Sequence, residues 1–259
     1  MIHKILKKIS NFYRFYNFKK NYVKKTFENE QNQRFNTLGL NRQEAINKLI
    51  KIKEKNNFLD RRMSSEHEVL FAAISNSSKY SISKILEIGT YDGANSYLLS
   101  LLFNNSEIQT IDLDDKDSNF ELTYNRKDNI NKFITDRNKI ISKGNNIKFK
   151  PINSIQLTNY KEKFDLIWID GAHGYPVVCI DIINSLKLIS DAGIIICDDV
   201  YIKKPKNQDS MYRSIATYET LKSLENEKII FLNLLYKRLD LLDNCDPDRR
   251  KFLGFFQKI

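Results

Sequence analysis

The chain has 259 residues, of which 41% are hydrophobic and 29% charged, which suffices for one large core and excludes an intrinsically disordered protein. Its net charge of +10 is typical of nucleic-acid-binding proteins, but eight basic residues precede the first acidic one, Glu28, and the remainder is nearly balanced, so no nucleic-acid partner is expected. The lack of a CxxC pair, of a signal-peptide core and of an apolar run of transmembrane length predicts a cytoplasmic protein with reduced cysteines.

Residues 1–25 predict a basic amphipathic helix, because apolar and aromatic side chains recur at helical spacing among lysines. Docking on its own domain, or on a second copy in a homo-oligomer, is the favoured interpretation, and contact with an anionic membrane surface is the alternative. Residues 26–41, rich in Asn and Gln, predict a linker, and helices follow at about 42–55 and after Ser65, which opens a capping box. We therefore divide the chain into a helical extension and linker at 1–63 and a domain at 64–259.

From Lys84 onward, predicted strands and helices alternate. Short apolar runs predict strands at 84–88, 108–113, 147–151, 164–170 and 194–197, and helical patterns lie at about 119–143 and 177–189. The run at 164–170 is nearly all apolar, as in a strand buried on both faces. This order predicts an α/β fold with a doubly wound, mostly parallel sheet that binds its ligand at the carboxyl ends of the strands.

The stretch 84–99, KILEIGTYDGANSYLL, predicts a buried strand, a tight turn and the start of a helix. Gly89 and Gly93 bracket the turn. Glycines at these positions allow the backbone to approach a ligand, and the free N–H groups of the first helical turn favour a polar or anionic group. For the glycine pair alone, a turn that needs glycine only for its dihedral angles explains the pattern equally well.

Four of the five predicted strands carry acids at their carboxyl ends. These acids are Glu87, Asp112, Asp170 and the pair Asp198-Asp199. Each one alone is explained as a turn residue or a helix cap. Together they converge on one edge of the sheet, where carboxylates repel each other unless hydroxyls, an ammonium group or a metal ion compensates them. A ligand with ribose hydroxyls and an amino group would meet that need.

The motif Glu87-Ile88-Gly89-Thr90-Tyr91-Asp92-Gly93 resembles the E-x-G-x-x-x-G first motif of class I S-adenosylmethionine-dependent methyltransferases of the catechol type. The segment 165–200, with IDGAH followed by a DD pair, resembles the metal-dependent branch that includes macrolide-sugar O-methyltransferases and relatives of cephalosporin hydroxylase. The stretches 228–236 and 251–259 are similar to the antiparallel strand pair that ends this fold. The resemblance covers about residues 64–259 and implies a Rossmann-like sheet and O-methylation of a small molecule or a sugar-containing metabolite.

The resemblance also implies a role for individual residues. S-adenosyl-L-methionine would be bound by Glu87, Gly89, Thr90, Tyr91, Gly93, Asp112, Asn153, Ser154 and Asp170, with Asp112 on the ribose hydroxyls and Asn153-Ser154 beside the adenine. Mg²⁺ or a similar divalent cation would be bound by Asp170, Asp198 and Asp199. Such an ion lowers the pKa of a bound hydroxyl and orients it.

His173 lies three residues after Asp170, where catechol-type enzymes carry a lysine base, so His173 and Asp170 are the catalytic candidates. A neutral histidine can accept a hydroxyl proton. Capping of the next helix, or positioning of Asp170, explains His173 equally well. His3 and His67 are weaker candidates, since His3 is in the basic extension and His67 is expected to be exposed at the start of a helix.

Two other functional classes remain as alternatives. An NAD-dependent oxidoreductase is the weaker enzyme hypothesis, because the Gly89 turn lacks the G-x-G-x-x-G spacing. A basic nucleic-acid-binding protein is the non-enzyme hypothesis, but its charge is confined to one end and no recognition motif is present. The basic segment 200–210 predicts either a lid for an anionic substrate or a solvated loop.

Overall fold

A seven-stranded mixed sheet forms the centre of the computed structural model, which describes residues 2–58, 66–122, 129–203, 214–240 and 250–259. The strands are β1 (Lys84–Ile88), β2 (Glu107–Asp112), β3 (Ile147–Pro151), β4 (Phe164–Ile169), β5 (Ile189–Tyr201), β6 (Ile230–Tyr236) and β7 (Lys251–Lys258). They lie in the order β3-β2-β1-β4-β5-β7-β6, and β7 is antiparallel to both of its neighbours. The predicted α/β fold, with a mostly parallel sheet and a closing antiparallel pair, is confirmed.

The helices precede the sheet or connect its strands. They are α1 (Ile2–Asn21), α2 (Lys24–Thr37), α3 (Arg42–Lys55), α4 (Glu66–Asn76), α5 (Ala94–Leu102), α6 (Ser118–Leu122), α7 (Ile130–Ile141), α8 (Val177–Leu188) and α9 (Ala216–Asn226). The sequence did not predict α9, and the helical stretch expected at 119–143 contains α6 and α7, with residues 123–128 between them outside the described residues.

Both faces of the sheet are covered, because alternate residues of each central strand enter different cores. Ile85 and Trp168 pack in a cluster with side chains of α2, α3, α4 and α5. Leu86 and Ile167 pack in a second cluster with side chains of α8 and α9. The nearly continuous apolar sequence of β4 follows from this burial on both sides.

The prediction of a linker at 26–41 is wrong, because most of that stretch is the helix α2. Gln31 and Phe35 are fully buried. The Gln31 side chain donates to the Tyr236 carbonyl oxygen at 3.0 Å and accepts from the Tyr236 N–H at 2.9 Å, so its amide continues the pairing at the end of β6. The polar composition that suggested a linker therefore includes a side chain held by tertiary hydrogen bonds.

The predicted basic helix at the start of the chain is present as α1, but four of its apolar side chains are exposed. Ile9, Phe12, Tyr13 and Tyr16 are 56–72% exposed. For these four side chains, the favoured expectation of docking on the chain's own domain is wrong. The predicted boundary at residue 63, the capping Ser65 and the segment 204–210 of the predicted lid lie outside the described residues.

The turn after β1 brings two backbone segments into contact. The Gly89 N–H donates to the Ile111 carbonyl at 2.9 Å, and the Asp170 N–H donates to the Ile88 carbonyl at 2.8 Å. Gly89 has a φ of +101°, and a Cβ there would lie 2.4 Å from the Asp170 carbonyl oxygen. Only glycine fits this position, because a side chain would meet backbone as well as an unfavourable φ.

We expect Gly89→Ala to lower the free energy of unfolding by at least about 2 kcal/mol, through overpacking and backbone strain. Urea unfolding of the purified protein measures this change. Gly171→Ala is the matched control, since a Cβ at Gly171 would find its nearest neighbour at 3.6 Å and should change stability by less than about 1 kcal/mol. Equal stability of the two variants would contradict this account of the turn.

Candidate active site

The strand ends converge at one edge of the sheet, as the sequence predicts. Ile88 is in register with Ile111 and Ile169, and Ile169 with Cys197. The residues that follow these four are Gly89, Asp112, Asp170 and Asp198. The predicted turn and three of the predicted acids therefore leave the sheet side by side.

Glu87 is buried one residue before the end of β1. Its carboxylate accepts hydrogen bonds from Asn95 Nδ2 at 2.7 Å, from Thr110 Oγ1 at 2.6 Å and from Ser96 Oγ. Burial raises the pKa of Glu87 to about 7, although these three donors oppose the shift. Glu87 therefore holds the start of α5 against β2, from inside the core.

Asp112 ends β2 beside the turn after β1. Its Oδ2 accepts from the Tyr91 N–H and its Oδ1 from the Leu113 N–H, each at 2.9 Å. The carboxylate is half-buried, and each of its oxygens has a second lone pair, so it can also accept hydroxyl groups of a ligand.

The other residues of the turn have structural roles of their own. The Thr90 hydroxyl is buried 2.7 Å from Thr110 Oγ1, and the Tyr91 ring lies 5.5 Å from Phe133. Gly93 has a φ of +78° and precedes α5, and a Cβ on it would lie 2.8 Å from Ile141 Cγ1. Packing and dihedral angles thus account for both glycines, and their contact with a cofactor stays a prediction.

Asn153 and Ser154 follow β3, which is the outermost strand at one side of the sheet. Asn153 Oδ1 accepts from the Ile155 N–H at 3.0 Å and so caps a short 3₁₀ helix, Ser154–Asn159. Asp181 of α8, which the sequence did not single out, is fully buried close to Ser154, and burial raises its pKa to about 6.

Asp198 and Asp199 lie in an irregularity of β5, where the pairing with β7 shifts between Cys197 and Val200. Asp199 has a φ of +51°, which is uncommon for a residue other than glycine. A bulge of this kind interrupts the alternation of side chains along a strand. Both carboxylates can therefore turn toward the same lysine, Lys237.

Lys237 and Lys251 are the counter-charges of this acid pair. Lys237 Nζ donates to Asp198 Oδ2 and to Asp199 Oδ1, and Lys251 Nζ donates to Asp199 Oδ2. Burial alone would raise the pKa of Asp198, but the Lys237 ammonium holds it below its usual value. The two carboxylates likewise raise the pKa of Lys237, despite its own burial.

Asp170 completes the acid cluster, which we define as Asp170, Asp198 and Asp199. Its side chain is 35% exposed, against 13% for Asp199 and 5% for Asp198, so the cluster opens to solvent on the Asp170 side. Burial and the nearby Asp198 carboxylate raise the pKa of Asp170.

The predicted metal ligands fit a divalent cation in part. Asp198 Oδ1 is buried and has no hydrogen-bond partner in the described part of the chain, and Asp170 is nearby with carboxylate oxygens of its own. Both oxygens of Asp199 are engaged by lysines. Within the described residues no group of three His, Cys, Asp or Glu side chains is arranged to hold a metal. Asp170 and Asp198 therefore offer oxygens to a hard cation, while lysines hold Asp199.

His173 lies beside the acid cluster. Its Nε2 lies 3.5 Å from Asp170 Oδ1 and 4.0 Å from Asp199 Oδ2, and its side chain is 4% exposed. Burial lowers the pKa of His173, and the nearby lysines add to this effect, whereas Asp199 and Asp198 oppose it. The imidazole is therefore neutral at pH 7 and has a nitrogen available as a proton acceptor.

His67 is a further histidine near the cluster, and the expectation that it is exposed is wrong. It is half-buried, with its ring 5.3 Å from that of Trp168 and 5.7 Å from that of Phe71. Burial lowers its pKa, and the Asp198 carboxylate opposes this. Its neighbour Glu66 donates its backbone N–H to the Lys237 carbonyl at 2.8 Å, so the start of α4 borders the cluster.

A cavity of about 640 Å³ lies between α2, α3, α4 and the residues after β6. Its apolar wall includes Leu49, Phe58 and Val69. Arg238, the residue after Lys237, lines it together with Glu66, which precedes His67. The cavity therefore borders the segments that carry Lys237 and His67.

Comparisons with known proteins agree with this architecture. A family model described as a methyltransferase domain matches residues 86–200. The chain is similar to the SAH-bound methyltransferase PaMTH1 of Podospora anserina, with 18% identity, a TM-score of 0.51 and coverage of 82% of this chain and 87% of that one. It is similar also to the O-methyltransferase TomG of Streptomyces achromogenes, which is involved in tomaymycin synthesis and was solved with SAM, with 12% identity, a TM-score of 0.50 and coverage of 91% and 98%. No curated protein matches the chain.

The buried Glu87 generates a prediction about the pH dependence of stability. Its pKa rises from 4.5 to about 7 on folding, so between these values the folded state holds a proton that the unfolded state releases. The free energy of unfolding should therefore fall by about 3 kcal/mol from this group as the pH rises through that window. Glu87→Gln should lose this dependence, and the exposed Glu227→Gln should keep it. Urea unfolding across pH 4.5–7.5 measures it, and parallel curves for Glu87→Gln and the unsubstituted protein would contradict the assignment.

Proposed function

We propose that this chain, which carries a methyltransferase domain over residues 86–200, transfers the methyl group of S-adenosylmethionine to a hydroxyl oxygen of a small molecule or a sugar-containing metabolite. The observation that carries the proposal is the position of Asp112 and the Gly89–Gly93 turn beside the acid cluster, at one edge of a sheet with the methyltransferase topology. Cofactors of doubly wound folds bind at this edge.

The residues around the turn suit the cofactor. We assign Asp112 to its ribose hydroxyls, because the carboxylate is half-buried beside the turn and can accept hydroxyl groups. Glu87 fixes the start of α5, while Gly89 and Thr90 supply the backbone of the turn. Asn153 and Ser154, which follow β3, would lie beside the adenine. The cofactor, when bound, supplies an electrophilic methyl group on a sulfonium.

Methyl transfer to a hydroxyl requires a group that removes its proton. The acceptor oxygen forms a bond to the methyl carbon while the carbon–sulfur bond breaks, and the hydroxyl proton must leave. We assign His173 as the base, because its imidazole is neutral at pH 7 and lies against the solvent-open side of the acid cluster. Asp170 orients the imidazole and stabilises its protonated form.

We further propose that a divalent cation assists the methyl transfer. Asp170 and Asp198 Oδ1 would hold it, and Asp199 would join them when a lysine withdraws. When bound, the ion would lower the pKa of the acceptor hydroxyl and neutralise the carboxylates. Lys237 already supplies positive charge beside Asp198, so the chain has a second means of compensating its acids.

A cavity that borders the segments of Lys237 and His67 supports the proposed acceptor class. The cavity of about 640 Å³ has the size of a small-molecule site, and its apolar wall is bordered by charged side chains such as Lys53 and Arg238. A molecule with an apolar body and polar substituents fits such a lining. Sugar-containing metabolites with an apolar aglycone have this character.

The cofactor assignment predicts that S-adenosylhomocysteine binds to the purified protein and that NAD does not. Asp112→Ala should weaken S-adenosylhomocysteine binding by about 1–3 kcal/mol, the usual loss for hydrogen bonds to a charged group. Asp191→Ala is the control, because Asp191 is exposed on β5 before that strand enters the core. Isothermal titration calorimetry measures the dissociation constant of S-adenosylhomocysteine for the unsubstituted protein and for both variants, and tests NAD with the unsubstituted protein. Tight NAD binding would reject the methyltransferase assignment, and unchanged affinity in Asp112→Ala would reject only the ribose contact.

The cation predicts a second binding experiment that needs no acceptor. Mn²⁺ should bind to the protein and be displaced by Mg²⁺. Asp198→Asn should weaken Mn²⁺ binding at least about tenfold, because it removes a charge and keeps the side-chain shape. Asp191→Asn is the matched control. Electron paramagnetic resonance of free Mn²⁺ gives the affinities. If Mn²⁺ does not bind while S-adenosylhomocysteine does, the cation is excluded, and Lys237 provides the compensating charge.

A further inference from the structure

Helix α1 presents an exposed apolar stripe that the proposed catalysis does not use. We define the stripe as Ile9, Phe12, Tyr13 and Tyr16, which are 59%, 72%, 66% and 56% exposed. Their spacing of three, four and seven residues places them on one face of the helix. Three exposed aromatic side chains on two turns of one helix form a binding surface rather than scattered surface residues.

The end of α1 is fixed to the domain by aromatic packing. The ring of Phe18 lies 5.8 Å from that of Tyr22, which stacks on Phe27 at 5.1 Å. The Arg250 guanidinium lies 4.0 Å from the centre of the Phe27 ring, and Tyr236 packs against the same ring at 5.7 Å. The stripe therefore belongs to a helix that is held at its C-terminal end and exposed along the preceding turns.

The charge of α1 selects the kind of partner. The helix contains six lysines and arginines and no acidic residue, and the exposed Lys19 and Lys20 lie within one turn after the stripe. A second copy of α1 would bring like charges together, which disfavours pairing of the helix with itself. Nucleic acid would match the charge but would leave the apolar stripe in water. An anionic lipid surface matches both features, since headgroups attract the lysines while the aromatic side chains enter the interface.

We propose that α1 binds the surface of an anionic lipid bilayer, with the stripe inserted at the headgroup level and the lysines on the phosphates. The helix lies on the bilayer instead of crossing it. In the described part of the chain, no helix is long and apolar enough to span a membrane. The domain is thereby held at the lipid surface through the packed end of α1.

Vesicle sedimentation of the full chain tests this binding. The protein should sediment with vesicles of phosphatidylcholine and phosphatidylglycerol at low salt, and not with phosphatidylcholine alone. Raising the salt concentration should release it, because the attraction to exposed headgroups is screened. Absence of sedimentation with the anionic vesicles, or equal binding to the neutral ones, would overturn the proposal.

A triple variant distinguishes binding through the stripe from nonspecific binding through other exposed apolar side chains. Phe12→Gln/Tyr13→Gln/Tyr16→Gln should lower the partition onto anionic vesicles at least about tenfold, since three rings no longer leave water. The matched control is Ile183→Gln/Ile229→Gln/Phe231→Gln, which changes three residues that are 45–55% exposed elsewhere. Thermal unfolding verifies that both proteins fold. Unchanged vesicle binding by the stripe variant would overturn the proposal.

A charge variant tests the contribution of the lysines to lipid binding. Lys19→Gln/Lys20→Gln should lower binding to anionic vesicles about tenfold or more at low salt, whereas the exposed pair Lys139→Gln/Lys161→Gln should not. Analytical ultracentrifugation tests the alternative that α1 binds a second copy of this chain. A dimer that the stripe variant converts to monomer, together with no vesicle binding, would assign the surface to a second copy. If the full chain does not bind S-adenosylhomocysteine, that result contradicts the proposed function and leaves the lipid proposal unchanged.

Discussion

Compensation of buried carboxylates is the constraint on which the site depends. The parallel strands deliver acids to one edge of the sheet, and each acid needs a donor or a positive charge because burial removes its water. Glu87 receives three neutral donors, which do not fully offset burial, so its pKa is raised to about 7. Asp198 receives an ammonium group, so its pKa is lowered. Near neutral pH the same edge therefore holds one carboxyl group that takes up a proton readily and one that stays ionised.

The antiparallel end of the sheet supplies the positive charge. Because β7 lies between β5 and β6, Lys251 stands in register with Tyr201 of β5, and Lys237 follows the last residue of β6. The ammonium groups thus come from residues 38 to 52 positions away along the chain. The bulge at Asp198-Asp199 is what lets two consecutive carboxylates meet them. The closing strands therefore form part of the site as well as the edge of the sheet.

The sequence predicts the features that local pattern determines. Apolar runs bounded by acids and glycines identify β1 to β4 and the turn at Gly89, because a strand buried on both faces must be apolar throughout. The sequence placed β5 correctly but too short, since residues 190–193 are polar or small and the acid pair follows Cys197.

Tertiary contacts set the features that the sequence could not predict. The polar α2 becomes helical against β6 through Gln31, and no local signal shows that its amide would be buried. Lys237 and Lys251 look like any other surface lysines, although the acids they compensate were predicted to need an ammonium group or a metal. His67 is half-buried against Trp168, a partner on a strand 101 positions later, which helical spacing does not reveal.

The anchor of α1 and the counter-charges of the acid cluster are adjacent along the chain. Tyr236, which packs on Phe27, precedes Lys237, and Arg250, which covers the same ring, precedes Lys251. Each neighbouring pair places one side chain in the aromatic contact and the next on Asp198 or Asp199. Packing of the end of α1 and compensation of the buried acids therefore depend on neighbouring residues at the ends of the closing strands.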